Sequence, residues 1–156
     1  MSKFLVICSV QQELYPESLY AELEKGIAAV YTQCFGLQAK TKVMWMTVPK
    51  GQAFLAGKPS NCSTIAASVV DDLPQAQRTA FLQAMLRQWM MMTNCSKHDV
   101  IITAADTSKL KELMATSNRR FRPTIRPFML VKMLTTLAKN KISKKRFEIS
   151  INQSDK

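Results

Sequence analysis

The chain has 156 residues, of which 47% are apolar and 21% are charged. This size and composition allow one globular domain with a hydrophobic core and exclude a disordered chain or a long repeat array. Lysine and arginine number 22 against 11 acidic residues, and the excess is uneven: residues 1–108 carry a net charge of +1, and residues 109–156 carry +10. We therefore expect a folded domain over 1–108 and a basic C-terminal extension over 109–156.

Several classes of protein are excluded by what the sequence lacks. Every apolar run is shorter than the roughly 20 residues of a spanning helix, so we expect no transmembrane segment. The cysteines are widely spaced and form no C-x-x-C pair, and the chain has one histidine, so we expect neither a metal site nor a cofactor. These features are typical of a cytoplasmic protein with reduced thiols. The residues concerned are Cys8, Cys34, Cys62, Cys95 and His98.

The first part of the chain reads as a strand, a helix and a second strand. Residues 4–10 form an apolar, β-branched run, and residues 43–48 form another that ends before Pro49. Between them, apolar residues recur every three or four positions on one stripe of a helix that begins near Pro16 and ends before Gly36. The pattern predicts a βαβ unit, whose crossover helix covers one face of the sheet. The helix stripe consists of Leu19, Leu23, Ile27, Val30 and Cys34.

The same order of elements recurs after an offset of 58 residues. Residues 64–70 and 100–104 are predicted strands, and residues 74–93 between them form a predicted helix. Gly36 and Asn94 coincide under this offset, and both residue types tolerate a left-handed helix exit. The sequence therefore predicts an α/β fold: two tandem βαβ units that form a four-stranded mixed sheet with two helices on one face.

Such a sheet has one face without a cover. The predicted strands are nearly continuous apolar runs, which indicates burial on both faces, yet two helices cover only one face. A soluble monomer does not leave an apolar surface of that size exposed. Either residues 109–156 fold over this face or other copies of the chain do.

The duplicated βαβ plan and its linker carry a resemblance to a known family. Residues 48–60 between the halves read VPKGQAFLAGKPS. Over residues 2–108 the chain resembles the tautomerase superfamily, in particular its longer members related to cis-3-chloroacrylic acid dehalogenase and macrophage migration inhibitory factor. This resemblance implies a homotrimer whose open sheet faces pack around a central axis.

The resemblance also implies a site at the amino terminus. Members of the superfamily use an amino-terminal proline, exposed by removal of the initiator methionine, as a base or nucleophile. The matching residue here is Ser2. If Met1 is removed, Ser2 has a primary α-amine with a pKa near 7.7 to 8.0, which is partly deprotonated at neutral pH. If Met1 stays, Ser2 has an amide and cannot act as a base.

Other site positions follow from the same resemblance. Dehalogenase-like members have a histidine late in the first helix and a tyrosine on the last strand, and Tyr31 and Thr103 stand at these places. Two arginines before the second helix are replaced by Asp71 and Pro74, so the usual clamp for a substrate carboxylate is missing. A glutamate beyond the last strand has Glu112 as its nearest match. Ser2, Tyr31 and Thr103 are thus the candidate catalytic residues.

Candidate substrate-binding residues are basic. Lys50 and Lys58 flank the linker loop, where they could orient an anion. Arg119, Arg120 and Arg122 belong to a segment with four arginines in eight positions, and an arginine from this segment could replace the missing carboxylate clamp in a trimer.

The basic extension is predicted to contain a short amphipathic helix after Pro127 and an edge strand over 147–151. Its apolar arc could dock on the trimer with the basic face in solvent, or enter the headgroup region of an anionic membrane surface. The arginines could also neutralise nucleic-acid phosphates, but the extension has few aromatic residues for stacking and no recognised binding motif, which makes nucleic acid the weaker candidate.

The sequence thus supports two functional hypotheses. In the first, the chain is a divergent tautomerase-superfamily protein, acting as an isomerase or lyase on a small 2-keto or unsaturated carboxylate, and the missing proline leaves open whether it is active. In the second, it binds an anion, a membrane surface or nucleic acid through its basic C-terminal segment.

Overall fold

The fold is described by a computed structural model, which covers residues 3–119 and 126–150, with side chains for 3–116 and 131–150. In chain order the elements are β1 (Lys3–Gln11), α1 (Glu17–Phe35), β2 (Lys40–Val48), β3 (Phe54–Leu55), β4 (Lys58–Pro59), β5 (Ser63–Val69), α2 (Gln75–Thr93), β6 (Val100–Asp106), α3 (Thr107–Arg119), α4 (Arg126–Lys144) and β7 (Phe147–Ser150). A short 3₁₀ turn, Lys97–Asp99, precedes β6.

The main sheet has the strand order β6-β5-β1-β2-β7. β1 is parallel to β2, β5 is parallel to β6, and the two pairs meet where β1 lies antiparallel to β5. This topology confirms the two predicted βαβ units and their mixed four-stranded sheet. β7 adds a fifth strand parallel to β2, and β3 and β4 form a small hairpin within the linker.

The core lies between one face of the sheet and the two long helices. Buried residues alternate along the strands, so β1 contributes Phe4, Val6, Cys8 and Val10 to this side. Gly26 of α1 lies so close to Gln88 and Met92 of α2 that a Cβ atom there would clash. Asn94 adopts the predicted left-handed exit, with φ +54° and ψ +27°, whereas Gly36 also has a positive φ of +84° but an extended ψ of 171°.

On the opposite face of the sheet, which we call the open sheet face, no helix of the described residues packs as α1 and α2 do on the core face. The apolar side chains of the open sheet face are partly exposed within the protomer, and Ile101 reaches 45%. The strand registers place them side by side, with Ile7 next to Met44 and Ile101 next to Thr64. The face includes Leu5, Ile7, Met44, Met46 and Ile101. The imbalance predicted from the sequence is therefore present in the protomer.

The C-terminal segment contains more regular structure than predicted. α3 was not predicted, and it begins where two contacts fix its first turn: Thr107 Oγ1 donates to the Val69 carbonyl at 2.7 Å, and Asp71 accepts from the Ser108 N–H at 2.9 Å. A tertiary cap of this kind leaves no local sequence signal. α4 has 19 residues, whereas a short helix was predicted. The predicted edge strand is confirmed as β7 over Phe147–Ser150.

α4 turns its polar side towards the protein. Thr136 and Asn140 are partly buried, and the Asn140 amide donates to the Glu148 carbonyl of β7 at 2.7 Å. Val131, Leu134 and Ile142 share the opposite arc, the outer face of α4, where they are 59%, 58% and 83% exposed. Val131 and Leu134 of the predicted apolar arc are therefore exposed within one protomer, and docking of the arc on a trimer stays a prediction. Among the described residues, no helix is long and apolar enough to cross a bilayer.

Candidate functional site

The edge of the sheet where β1 begins is where the superfamily resemblance places its site. β1 and β2 run in the same direction, so Lys3 lies beside Lys40. β5 runs the opposite way, so its last residues lie at the same edge, where the Leu5 N–H donates to Ser68 Oγ at 2.8 Å. We call this region the amino-terminal edge. Ser2 itself lies outside the described residues.

Two lysines lie next to each other at the amino-terminal edge. Lys3 and Lys40 are register partners, so their side chains project from the same face of the sheet, and both are exposed. Within the described part of the chain, neither forms an ion pair. Like charges directly opposite each other on neighbouring strands repel, and an anion between them would relieve the repulsion. The sequence pattern gave no sign of this pair, because register links residues that are far apart in the chain.

Tyr31 belongs to the core behind this edge. It is 0% exposed, and its hydroxyl donates to the Ser68 carbonyl at 2.7 Å. Its ring lies 4.9 Å from that of Phe4 and 5.0 Å from that of Phe81. Burial raises the pKa of the phenol far above its usual value, so it stays neutral. These are the contacts of a packing residue.

A second charged group at the amino-terminal edge joins α2 to β6. Arg78 Nη2 lies 2.6 Å from Asp106 Oδ1, and Arg78 Nη1 donates to the Ala104 carbonyl at 3.0 Å. Among the described residues, the only arginine side chain in this part of the site is therefore paired with a carboxylate of its own chain. Asp71 lies nearby, and the hydrogen bond from the Ser108 backbone N–H lowers the pKa of its carboxyl.

The other predicted site residues lie elsewhere in the protomer. Thr103 is exposed on the open sheet face, beside Ala66 of β5. Lys50 and Lys58 are exposed on the linker loop, which is tied to the far end of β1 because the Gly51 N–H donates to Gln11 Oε1 at 2.7 Å. The length of β1 separates them from the amino-terminal edge by about 25 Å. One protomer does not bring these residues together with Tyr31.

The predicted arginines lie at the limit of the described residues. Arg119 ends α3, and its side chain is not described. Arg120 and Arg122 lie outside the described residues. Their place in a carboxylate clamp stays a prediction.

A buried ion network holds the C-terminal strand against the first helix, and sequence reasoning missed it. Arg146 and Glu148 have side chains that are 5% and 6% exposed, with Arg146 Nη2 2.5 Å from Glu148 Oε2. Arg146 also binds both carboxylate oxygens of Glu17, which lowers the pKa of that carboxyl. Lys144 Nζ lies 2.7 Å from Glu148 Oε1, and the guanidinium carbon of Arg146 lies 3.9 Å from the centre of the Tyr20 ring.

Comparison with solved structures identifies the fold. Native Ps01740 has a TM-score of 0.59 at 24% identity, covering 65% of this chain and 92% of that chain. A fused 4-OT, described as a wild-type symmetric trimer, has a TM-score of 0.56 at 13% identity over 65% of this chain and 84% of its own. N1, a member of the cis-3-chloroacrylic acid dehalogenase family, has a TM-score of 0.56 at 12% identity and covers 81% of this chain and 96% of its own. No protein-family model and no curated protein sequence matches the chain.

These structures share the doubled βαβ architecture described above. The chain therefore has the fold of the tautomerase superfamily, as the sequence resemblance implied. The match to N1 extends over more of this chain than the match to the fused 4-OT. At these identities the likeness defines the fold and leaves the activity open.

Proposed function

We propose that the protein works as a homotrimeric, tautomerase-type isomerase that acts on a small 2-keto or unsaturated carboxylate at the amino-terminal edge. The pair of adjacent, unpaired lysines, Lys3 and Lys40, carries the proposal. Asp71 is an acid and Arg78 is paired with Asp106, so neither provides positive charge for a substrate carboxylate. The ammonium groups of the two lysines provide it instead. The base would be the α-amine of Ser2, freed by removal of Met1.

The ordinary pKa of an α-amine also suits this base. At about 7.7 to 8.0, it leaves part of a freed Ser2 amine deprotonated at neutral pH. A base whose pKa is close to the working pH abstracts a proton most effectively.

The proposed trimer has two supports. The open sheet face presents Leu5, Ile7, Met44 and Met46 without a cover, and a soluble protein normally buries such a surface. The fused 4-OT with the same fold is described as a symmetric trimer. In a trimer, Lys50 and Lys58 of a neighbouring copy would approach a site that they do not reach within their own protomer, and the arginines of residues 119–122 would be further candidates.

If the protein is a trimer, one charge placed on the open sheet face should disrupt its assembly. Replacing Ile7 by lysine puts an unpaired charge into the subunit interface, so we expect sedimentation velocity to show a shift from trimer to monomer. Leu37→Lys is the matched control, because Leu37 is 91% exposed outside the sheet and the variant should stay trimeric. A monomeric wild-type protein would contradict the assembly.

The isomerase predicts proton exchange at the carbon next to the keto group. In D₂O, wild-type protein should exchange the C3 protons of phenylpyruvate faster than buffer, as measured by ¹H NMR. A retained Met1 removes the base, which should lower the rate by about 10²-fold or more. Ser2→Pro restores the superfamily's residue and should raise the rate.

The lysines have separate tests in the same assay. Lys3→Gln and Lys40→Gln should each raise KM several-fold with a smaller effect on kcat, because they weaken binding of the carboxylate. Lys25→Gln, on an exposed position of α1, is the charge-matched control. If exchange continues unchanged with Met1 retained, Ser2 has no part in the reaction.

The outer face of α4 supports a second candidate function, binding to an anionic membrane surface. Exposed Val131, Leu134 and Ile142 lie on the helix that also carries Lys139 and Lys141. We expect the protein to co-sediment with phosphatidylserine vesicles at low salt and to be released as salt rises. Leu134→Glu should abolish this binding, whereas unchanged binding by that variant would exclude the outer face.

A further inference from the structure

A cleft of about 930 Å³ opens at the far end of the sheet from the amino-terminal edge. It lies at the carboxyl ends of the parallel strands β1, β2 and β7, the position at which open parallel sheets bind ligands. Its walls are the loop from Gln12 to Pro16, the start of α1, and the inner side of α4. Its volume suits a small organic molecule.

The wall formed by α4 is polar. Thr136, Lys139, Asn140 and Lys144 face the cleft, while apolar Val131, Leu134 and Ile142 lie on the outer face of the helix. A surface helix that serves only to pack normally turns its apolar side inward. The reversed arrangement in α4 leaves a polar space between the helix and the sheet, and packing of side chains does not fill it.

The cleft also contains a buried hydroxyl without a partner. Thr47 is 3% exposed and lines the cleft, and within the described residues its Oγ1 forms no hydrogen bond. Trp89 Nε1 is likewise unpartnered, but Trp89 does not line the cleft. Buried polar groups in proteins are nearly always hydrogen-bonded, so an unpaired one beside an open cleft indicates a partner that binds there.

The charges around the cleft define the class of that partner. Arg146, Glu17, Glu148 and Lys144 satisfy one another in the buried network. Lys139, by contrast, forms no ion pair within the part of the chain that the structure describes. The first turn of α1 also faces the cleft without a side-chain cap, because Pro16 stands at its N-cap. An ammonium group and uncapped helix N–H groups both favour a bound anion.

Two further features indicate the charge of this anion and the character of the rest of the ligand. Glu13 is exposed at the cleft and would repel a doubly charged phosphate more strongly than a single carboxylate. Leu14, Tyr15 and Pro16 give the same wall an apolar part, which would contact the body of a ligand.

We propose that this cleft is a second ligand site, distinct from the amino-terminal edge, and that it binds a small monocarboxylate with an apolar body. The carboxylate would meet Lys139 and the start of α1, and the Thr47 hydroxyl would hydrogen-bond to the ligand. The proposal is independent of the isomerase, since it uses none of the residues assigned to that reaction.

The test is a titration of the full-length protein with phenylacetate, followed by ¹H–¹⁵N NMR. Phenylacetate has a carboxylate and an apolar ring but no keto group, so its binding does not depend on catalysis. We expect saturable shift changes centred on the amides of residues 12–15, 17–20 and 47. Thr47→Val and Lys139→Gln should each weaken binding about three- to tenfold, the loss of one hydrogen bond or charge.

Matched controls separate this cleft from the rest of the protein. Thr41→Val changes the same residue type on the same strand and face but at the other end of β2, and Lys25→Gln removes a distant charge. Both should bind phenylacetate as the wild type does. Thr47→Val should fold normally, because the hydroxyl that it removes has no partner among the described residues.

Three outcomes would overturn the proposal. The first is the absence of saturable binding, and the second is unchanged affinity in both Thr47→Val and Lys139→Gln. The third is a set of shift changes centred on Lys3 and Lys40, which would place the ligand at the amino-terminal edge.

Discussion

Replacing Arg146 by alanine is expected to lower the free energy of unfolding by about 3 to 5 kcal/mol. The substitution leaves the buried carboxylate of Glu148, whose side chain is 6% exposed, with Lys144 as its remaining cation. It also removes the contacts that hold β7 against Glu17 and Tyr20. The change should therefore loosen the attachment of the whole C-terminal strand to the first helix.

Urea unfolding followed by tryptophan fluorescence measures this effect, since Tyr20 packs on Trp45 with ring centres 4.7 Å apart. Lys109→Ala is the control, because the Lys109–Glu112 pair is exposed, at 74% and 70%, and such pairs contribute about 0 to 1 kcal/mol. The double variant Arg146→Met with Glu148→Leu should recover much of the loss, since it leaves no unpaired buried charge. If Arg146→Ala were as stable as Lys109→Ala, the ion network would contribute little to the free energy of folding.

Local patterns in the sequence were sufficient to predict the central fold. Strand runs, a helix stripe of period 3.6 and the offset of 58 residues predicted the two βαβ units, and both helices end at the predicted residues, Gly36 and Asn94, of which Asn94 has the left-handed conformation. The exposed sheet face was also predictable, because two helices cannot cover both sides of a four-stranded sheet. These features depend on neighbours in the chain or on simple counting of layers.

The C-terminal segment was harder to predict because long-range contacts decide its structure. Its charges indicated a solvated basic extension, yet the Arg146 side chain is buried and pairs with Glu17, which is exposed and 129 positions away in the chain. α3 likewise begins at contacts with Val69 and Asp71, which a local pattern does not reveal. Net charge describes a segment's average and says nothing about which of its cations will find a buried partner.

The residues of the candidate site likewise divide into those that local sequence predicts and those that depend on long-range contacts. Alignment by resemblance selected Tyr31 from its position on a helix, and the structure places its side chain in the core. Lys3 and Lys40 belong to no sequence motif. They form a candidate anion site only because the register of β1 and β2 places them side by side. Lys50 and Lys58 approach the amino-terminal edge only if a neighbouring copy supplies them, so their role depends on assembly.

Replacing Tyr31 by alanine is expected to lower the free energy of unfolding by about 3 to 5 kcal/mol, the cost of removing a fully buried aromatic ring. The cavity would open among Phe4, Phe35 and Phe81, whose ring centres lie 4.9 to 5.7 Å from that of Tyr31. Thermal and urea unfolding should both show the loss.

Tyr31→Phe separates packing from chemistry at this position. It keeps the ring and removes only the hydrogen bond to the Ser68 carbonyl, so we expect a smaller loss of about 1 to 3 kcal/mol. Its proton exchange with phenylpyruvate should stay within about twofold of the wild-type rate, because a hydroxyl committed to the core does not reach a substrate. A Tyr31→Phe protein that kept wild-type stability but lost exchange at least tenfold would instead make Tyr31 a catalytic residue, and would require the phenol to leave the core when substrate binds.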